Sequence, residues 1–165
     1  MSIQIFFQLL LASALGALIG LEREWRKKEA GIRTFSLICL GACLFGIAGL
    51  HLIEAYKFSE SAALRLDLIG IIQAVALGIG FIGAGVIFFK EKHIEGLTTA
   101  AGLWSTAAIG LLIAFEQYLL AIVAAILVII IFAWLGHIEG ELEKRFIKKE
   151  DEKKKKNKEE ENITQ

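Results

Sequence analysis

The chain has 165 residues, 56% of them hydrophobic, and a mean hydropathy of +0.61 even though its last 27 residues are mostly charged. Eighteen basic residues balance eighteen acidic ones, so no uncompensated basic face is left for nucleic acid. This composition excludes an ordinary soluble domain and describes an all-α membrane protein with a polar tail.

Five apolar runs approach the length of about 20 residues that crosses a bilayer: 3–21, 32–53, 68–89, 97–115 and 118–138. The amino terminus carries no basic n-region and no cleavage site follows, so the first run reads as a retained span and not a signal peptide. In it, Ala12, Gly16 and Gly20 lie on one helix face that leads to Glu24, a small-xxx-small pattern that brings helices close. The connection that follows holds Arg23, Arg26, Lys27 and Lys28, with Arg33 just inside the second span. Within that second span, Cys39 and Cys43 stand four apart and read as small packing residues on one face.

The third span contains Gly78-Ile-Gly-Phe-Ile-Gly-Ala-Gly85, with glycines at 78, 80, 83 and 85. In water each interior glycine would cost a helix about 1 kcal/mol relative to alanine. In lipid the backbone must still satisfy its own hydrogen bonds, and the glycines admit a neighbour at close range. This pattern predicts a crowded central helix around which the other spans pack, with Ala76, Gly80 and Ala84 as its small strip. The fourth run carries Thr98, Gly102, Thr106, Gly110 and Ala114 at spacings of four. Its hydroxyls dilute the apolar signal, so a re-entrant hairpin stays open beside a full span. The fifth, with Ile126-Leu-Val-Ile-Ile-Ile-Phe132, is bulky on every side and suits the lipid-facing edge of the bundle.

Alternating the five spans places 16 basic residues on one side and 2 on the other. The positive-inside rule then predicts an outside amino terminus, with the first and third connections and the tail in the cytoplasm. The tail, 139–165, interleaves nine basic with nine acidic residues; pairs such as Glu141–Arg145 and Glu150–Lys154 suit a helix that runs on and frays as a solvated cytoplasmic segment. A faint repeat relates Gly31-Ile-Arg-Thr34 to Gly96-Leu-Thr-Thr99, 65 residues on.

Charged groups near membrane depth need an explanation, since at mid-bilayer they cost about 2.5–3.5 kcal/mol. Glu22, Arg23, Glu24 and Arg33 cluster where the first two spans meet the cytoplasm. Two readings stay open: interfacial charges with snorkelling side chains, or a buried Glu22–Arg33 pair between helices. Asp67, at the opposite end of the third span, suits a helix cap. His51, His93 and His137 fall on separate segments without ligand spacing, so no metal site, catalytic residue or cofactor is predicted.

Four motifs in order, Gly16-Ala-Leu-Ile-Gly-Leu-Glu-Arg-Glu24, Ala30-Gly-Ile-Arg-Thr34, Gly78–Gly85 and Gly96-Leu-Thr-Thr-Ala-Ala101, resemble the MgtC/SapB family of bacterial inner-membrane proteins. The resemblance covers about residues 10–115. It implies a multi-pass protein of the cell inner membrane linked to magnesium homeostasis, and in some pathogens to virulence, that acts on another membrane protein. It marks Glu22, Arg23, Glu24, Arg33, Thr34 and Asp67 as a functional charge cluster, with Gly16, Gly20, Gly78, Gly80, Gly83, Gly85 and Gly102 as packing positions. Leu68 and Gly70 stand where the family often has proline and arginine, and the soluble carboxy-terminal domain of longer members is missing from this sequence. The expected partners are membrane lipid and a second membrane protein or a second copy. A magnesium or other ion transporter is the alternative. Gly78–Gly85, in the cytoplasmic half of its span with Glu22 and Arg33, reads as a close-packed platform beside the charged site, with a pore as the second reading.

Overall fold

The computed structural model describes residues 3–56, 68–90 and 93–135. Asp67, the second connection, His137 and the charged tail lie outside them. The chain forms two compact units, one ending at Ile129 and one beginning at Ile130. The first holds α1 (Ile3–Trp25), α2 (Ile32–Tyr56), α3 (Leu68–Val86), a two-stranded hairpin of β1 (Phe88–Lys90) and β2 (His93–Glu95), α4 (Leu97–Ala114) and the body of α5 (Tyr118–Ile130). Of the second, the described part is the end of α5 and a π-helical turn at Ile131–Leu135.

Helices α1 to α4 are each long and apolar enough to cross a membrane. The fourth run forms one continuous helix of 18 residues, about 27 Å at 1.5 Å per residue against a hydrocarbon core of about 30 Å. Its threonines do not break it. Thr106 is buried and donates its hydroxyl hydrogen to the Gly102 carbonyl at 2.8 Å, so the polar atom is satisfied within the helix itself.

The packing centre is α4, not α3. Ten residues of α4 are buried, among them Gly102, Thr106, Gly110 and Ala114 of the small strip; Thr98, its first member, is exposed, and Thr99 is buried instead. In α3 only Val75, Ile79 and Gly83 are buried, a single i, i+4, i+8 row. A Cβ at Gly110 would run into the Cys39 carbonyl and stand 2.9 Å from the Ala42 Cβ, and one at Gly46 would stand 2.5 Å from the Ala114 Cβ. Helices α2 and α4 therefore meet almost backbone to backbone.

Helix α1 meets α2 in the same way. A Cβ at Gly16 would lie 2.6 Å from the Phe35 carbonyl oxygen, and one at Gly20 would lie 2.7 Å from the Ile32 Cα. Ala12, Gly16 and Gly20 are all buried, as the strip predicts. Cys39 and Cys43 are fully buried free thiols between these layers. Gly78, Gly80 and Gly85, by contrast, have nothing within 4 Å of a built Cβ. The prediction that they crowd against neighbouring helices fails within this chain, because α3 turns its Val75–Ile79–Gly83 row to α4 and leaves the remaining glycines outside.

The third span also ends earlier than its apolar run. Helix stops at Val86, and Phe88, Phe89 and Lys90 pair antiparallel with Glu95, Ile94 and His93. The aromatic Phe88 and Phe89 and the β-branched Ile94 favour strand. Gly96 closes it with φ of 88°, and a Cβ there would strike the Val86 carbonyl; this is a position only glycine fills without strain. Helix α5 buries Ala121 and Ala125 and exposes its bulky residues, which agrees with an edge helix.

Candidate functional site

The charged residues singled out in the sequence gather at one end of the bundle, around the α1–α2 connection. Glu22 lies one turn before the end of α1, with its side chain 12% exposed. Its carboxylate meets the Arg23 Nε at 3.2 Å and the Arg26 Nε at 2.5 Å. The Arg23 side chain is 4% exposed. Glu22 is thus committed to two guanidinium groups of its own helix end, which compensates three charges that would be costly apart. The interhelical Glu22–Arg33 pair does not form: Arg33 is exposed on the first turn of α2. The Glu22–Arg26 pair that the structure makes was not among the readings open from the sequence, although its i, i+4 spacing would have allowed it.

Glu24 reaches across the connection. Its Oε2 accepts a hydrogen bond from the Ile32 amide at 2.9 Å, at the first residue of α2. A carboxylate at a helix start satisfies an amide that has no intrahelical partner and meets the positive end of the helix dipole. Gly31 makes room for it, since a Cβ there would collide with the Glu24 carboxylate. Thr34 is half-buried in the same first turn of α2.

The connection is tied to the central helix at a further point. Thr99, buried in the first turn of α4, donates its hydroxyl hydrogen to Glu29 Oε2 at 2.7 Å. That bond holds the Glu29 carboxyl below the usual carboxylate range, against an opposing effect of burial. Glu29 and Thr99 were not singled out from the sequence, and a separation of 70 residues offers no local spacing that could have found them.

The opposite end is fastened by two glutamines and a ring contact. Buried Gln8 donates to the Ile113 carbonyl at 3.0 Å and lies 3.4 Å from that of Ala114. Gln4 donates to Glu116 at 2.9 Å, and the Phe7 and Tyr118 rings meet edge to face at 6.4 Å. A lone glutamine in an apolar span was the available signal for Gln8. Among the described residues no group of three or more His, Cys, Asp or Glu side chains could hold a metal ion.

A helical bundle locked by glycine at α1–α2 and α2–α4, with four helices long and apolar enough to cross a bilayer, is that of an all-α membrane protein. Residues 9–141 match the MgtC family, and the chain belongs to it. It is 39% identical over 136 residues to a protein of Escherichia coli (strain K12) named "Putative magnesium transporter YhiD", covering 79% of this chain and 60% of that one. It is 37% identical over 150 residues to "Protein MgtC" of Salmonella typhimurium (strain LT2), covering 86% of this chain and 60% of that one. A Haemophilus influenzae protein is 38% identical over 127 residues, covering 76% and 53%. The chain thus spans about 60% of the length of the relatives first matched. No solved structure matches it.

Proposed function

We propose that the protein is a multi-pass inner-membrane regulator in adaptation to low magnesium, which acts by binding a partner membrane protein through the outer face of α3. The observation that carries this reading is that face itself. Gln73, Leu77, Gly80 and Ala84 lie along it, all exposed, and Gly80 has open space where a side chain would be. In lipid, a glutamine amide and a glycine backbone both favour a neighbouring helix over acyl chains. The basic α1–α2 connection lies in the cytoplasm in this reading, as its four basic residues favour.

Because a Cβ at Gly80 meets nothing within the chain, Gly80→Leu blocks the face while leaving the bundle intact. The expected result is normal expression, loss of growth in low magnesium, and loss of a crosslink from a photoreactive residue placed at Leu77. Growth and crosslinking unchanged in Gly80→Leu would end the proposal.

Passage of magnesium or another ion is the second reading, and it rests on the name of the Escherichia coli relative, "Putative magnesium transporter YhiD". Glu22 gives it little support, because a magnesium site needs carboxylate oxygens with retained waters and this carboxylate is held by Arg23 and Arg26. Magnesium flux in proteoliposomes that is abolished by Glu22→Gln would favour it over regulation.

A further inference from the structure

Helices α2 and α3 do not close on one another. They touch where a Cβ at Gly49 would stand 2.8 Å from the Ile71 Cγ1, then part, so that Gly41 and Gly78 both have nothing within 4 Å. Between them lies an apolar groove of about 550 Å³, lined by Leu37, Gly41 and Leu52 from α2 and by Ile71, Gly78 and Ile82 from α3. It is closed at the Gly49–Ile71 contact and open at Gly41 and Gly78, on the side nearer the start of α2 and the end of α3. Arg33 lies one helical turn before Leu37, the lining residue nearest the start of α2. It shares one face of α2 with Leu37 and Gly41 at spacings of four, and helical side chains lean towards the helix start. Arg33 is exposed and makes no ion pair among the described residues.

We propose that this groove holds one anionic glycerophospholipid, with an acyl chain along α2 and α3 and its phosphate on Arg33. The shape and the charge both favour this occupant. The walls are apolar along their length, the groove is closed at Gly49–Ile71 and open at Gly41 and Gly78, and one turn beyond Leu37 stands a cation with no acidic partner among the described residues. A guanidinium binds phosphate through two parallel charge-assisted hydrogen bonds. A transmembrane helix in the groove would bring its own backbone past Gly41 and Gly78 but would leave Arg33 uncompensated. The site goes beyond the regulatory reading, since the groove side of α3 is distinct from the Gly80 face.

Native mass spectrometry of the intact chain, with phosphatidylglycerol and phosphatidylethanolamine supplied as probes, tests the proposal. The wild type should retain one phosphatidylglycerol in preference to phosphatidylethanolamine. Arg33→Ala should weaken phosphatidylglycerol retention about tenfold, the loss expected for one charge-assisted contact. Gly41→Leu and Gly78→Leu, which fill the groove with space to spare at the backbone, should abolish retention of both lipids while thermal stability stays at the wild-type level. Equal retention in all four proteins would overturn the proposal. So would a wild-type dimer that Gly41→Leu dissociates, which would make the groove an interface between copies.

Discussion

The glycines of this protein divide into two kinds that alanine substitution should separate. At Gly16 a methyl group would lie 2.6 Å from the Phe35 carbonyl oxygen and 2.9 Å from both the Ser36 Cα and the Cys39 Cβ. Ordinary contact distances are about 3.5–4.0 Å, and two of the three obstacles are backbone, so α1 and α2 must move apart along their length. Overpacking of this kind costs about 1–3 kcal/mol. The better helix propensity of alanine returns up to about 1 kcal/mol. Gly16→Ala should therefore lose roughly 1–2 kcal/mol, a 5–30-fold shift in the unfolding equilibrium. At Gly78 the methyl group meets nothing, so only the propensity gain remains and Gly78→Ala should be neutral or more stable. Unfolding by sodium dodecyl sulfate in mixed micelles, followed by circular dichroism, measures both. The reasoning fails if Gly16→Ala matches the wild type, or if Gly78→Ala falls as far as Gly16→Ala.

Other changes have definite expected outcomes. Glu24→Ala removes the Ile32 cap and should cost about 1 kcal/mol in the same unfolding assay, with fraying of the first turn of α2 visible by amide exchange. Thr99→Val should cost about 1 kcal/mol for the lost hydrogen bond and should also flatten the acid limb of the stability profile. The folded Glu29 carboxyl titrates below its ordinary 4.5, so its contribution is present above that value and is lost as pH falls through the folded value; a pH series of melts reads this out. Gln8→Leu, which removes the donor to the Ile113 carbonyl, should lose about 1 kcal/mol. Lys27 has φ of 54°, and Lys27→Gly should raise stability by about 0.5–1 kcal/mol through relief of that backbone strain.

Hydropathy marked the four long helices, because a spanning segment must be both long and apolar and few other sequences are. The close approach of α1 to α2 was also legible, since Ala12, Gly16 and Gly20 share one face and the two spans are joined by a short connection. The Gly78–Gly85 stretch misled for a physical reason. Glycine permits a close neighbour but does not say which helix comes near, and α4, with a less conspicuous strip, takes the centre. The end of α3 was missed because hydropathy does not distinguish an apolar strand from the last turn of an apolar helix, and Phe88 and Phe89 belong to the strand. At the charged end, the clustering of Glu22, Arg23 and Glu24 with the start of α2 was readable. Partner choice was not, because Glu22 could reach along its own helix or across to the next, and packing decided for Arg26.

The two cysteines, fully buried in α2, have a practical consequence. An alkylating reagent must reach the sulfur, and both side chains are fully buried, so the natural chain is already a thiol-silent background. A single reporter cysteine at Lys27 or at Glu116 would then be the reactive thiol in intact cells. Membrane-impermeant maleimide added from outside should modify the Glu116 variant and spare the Lys27 variant when the amino terminus faces outward, and do the reverse when it faces inward. The packing that locks the bundle thus also supplies the means to read its orientation.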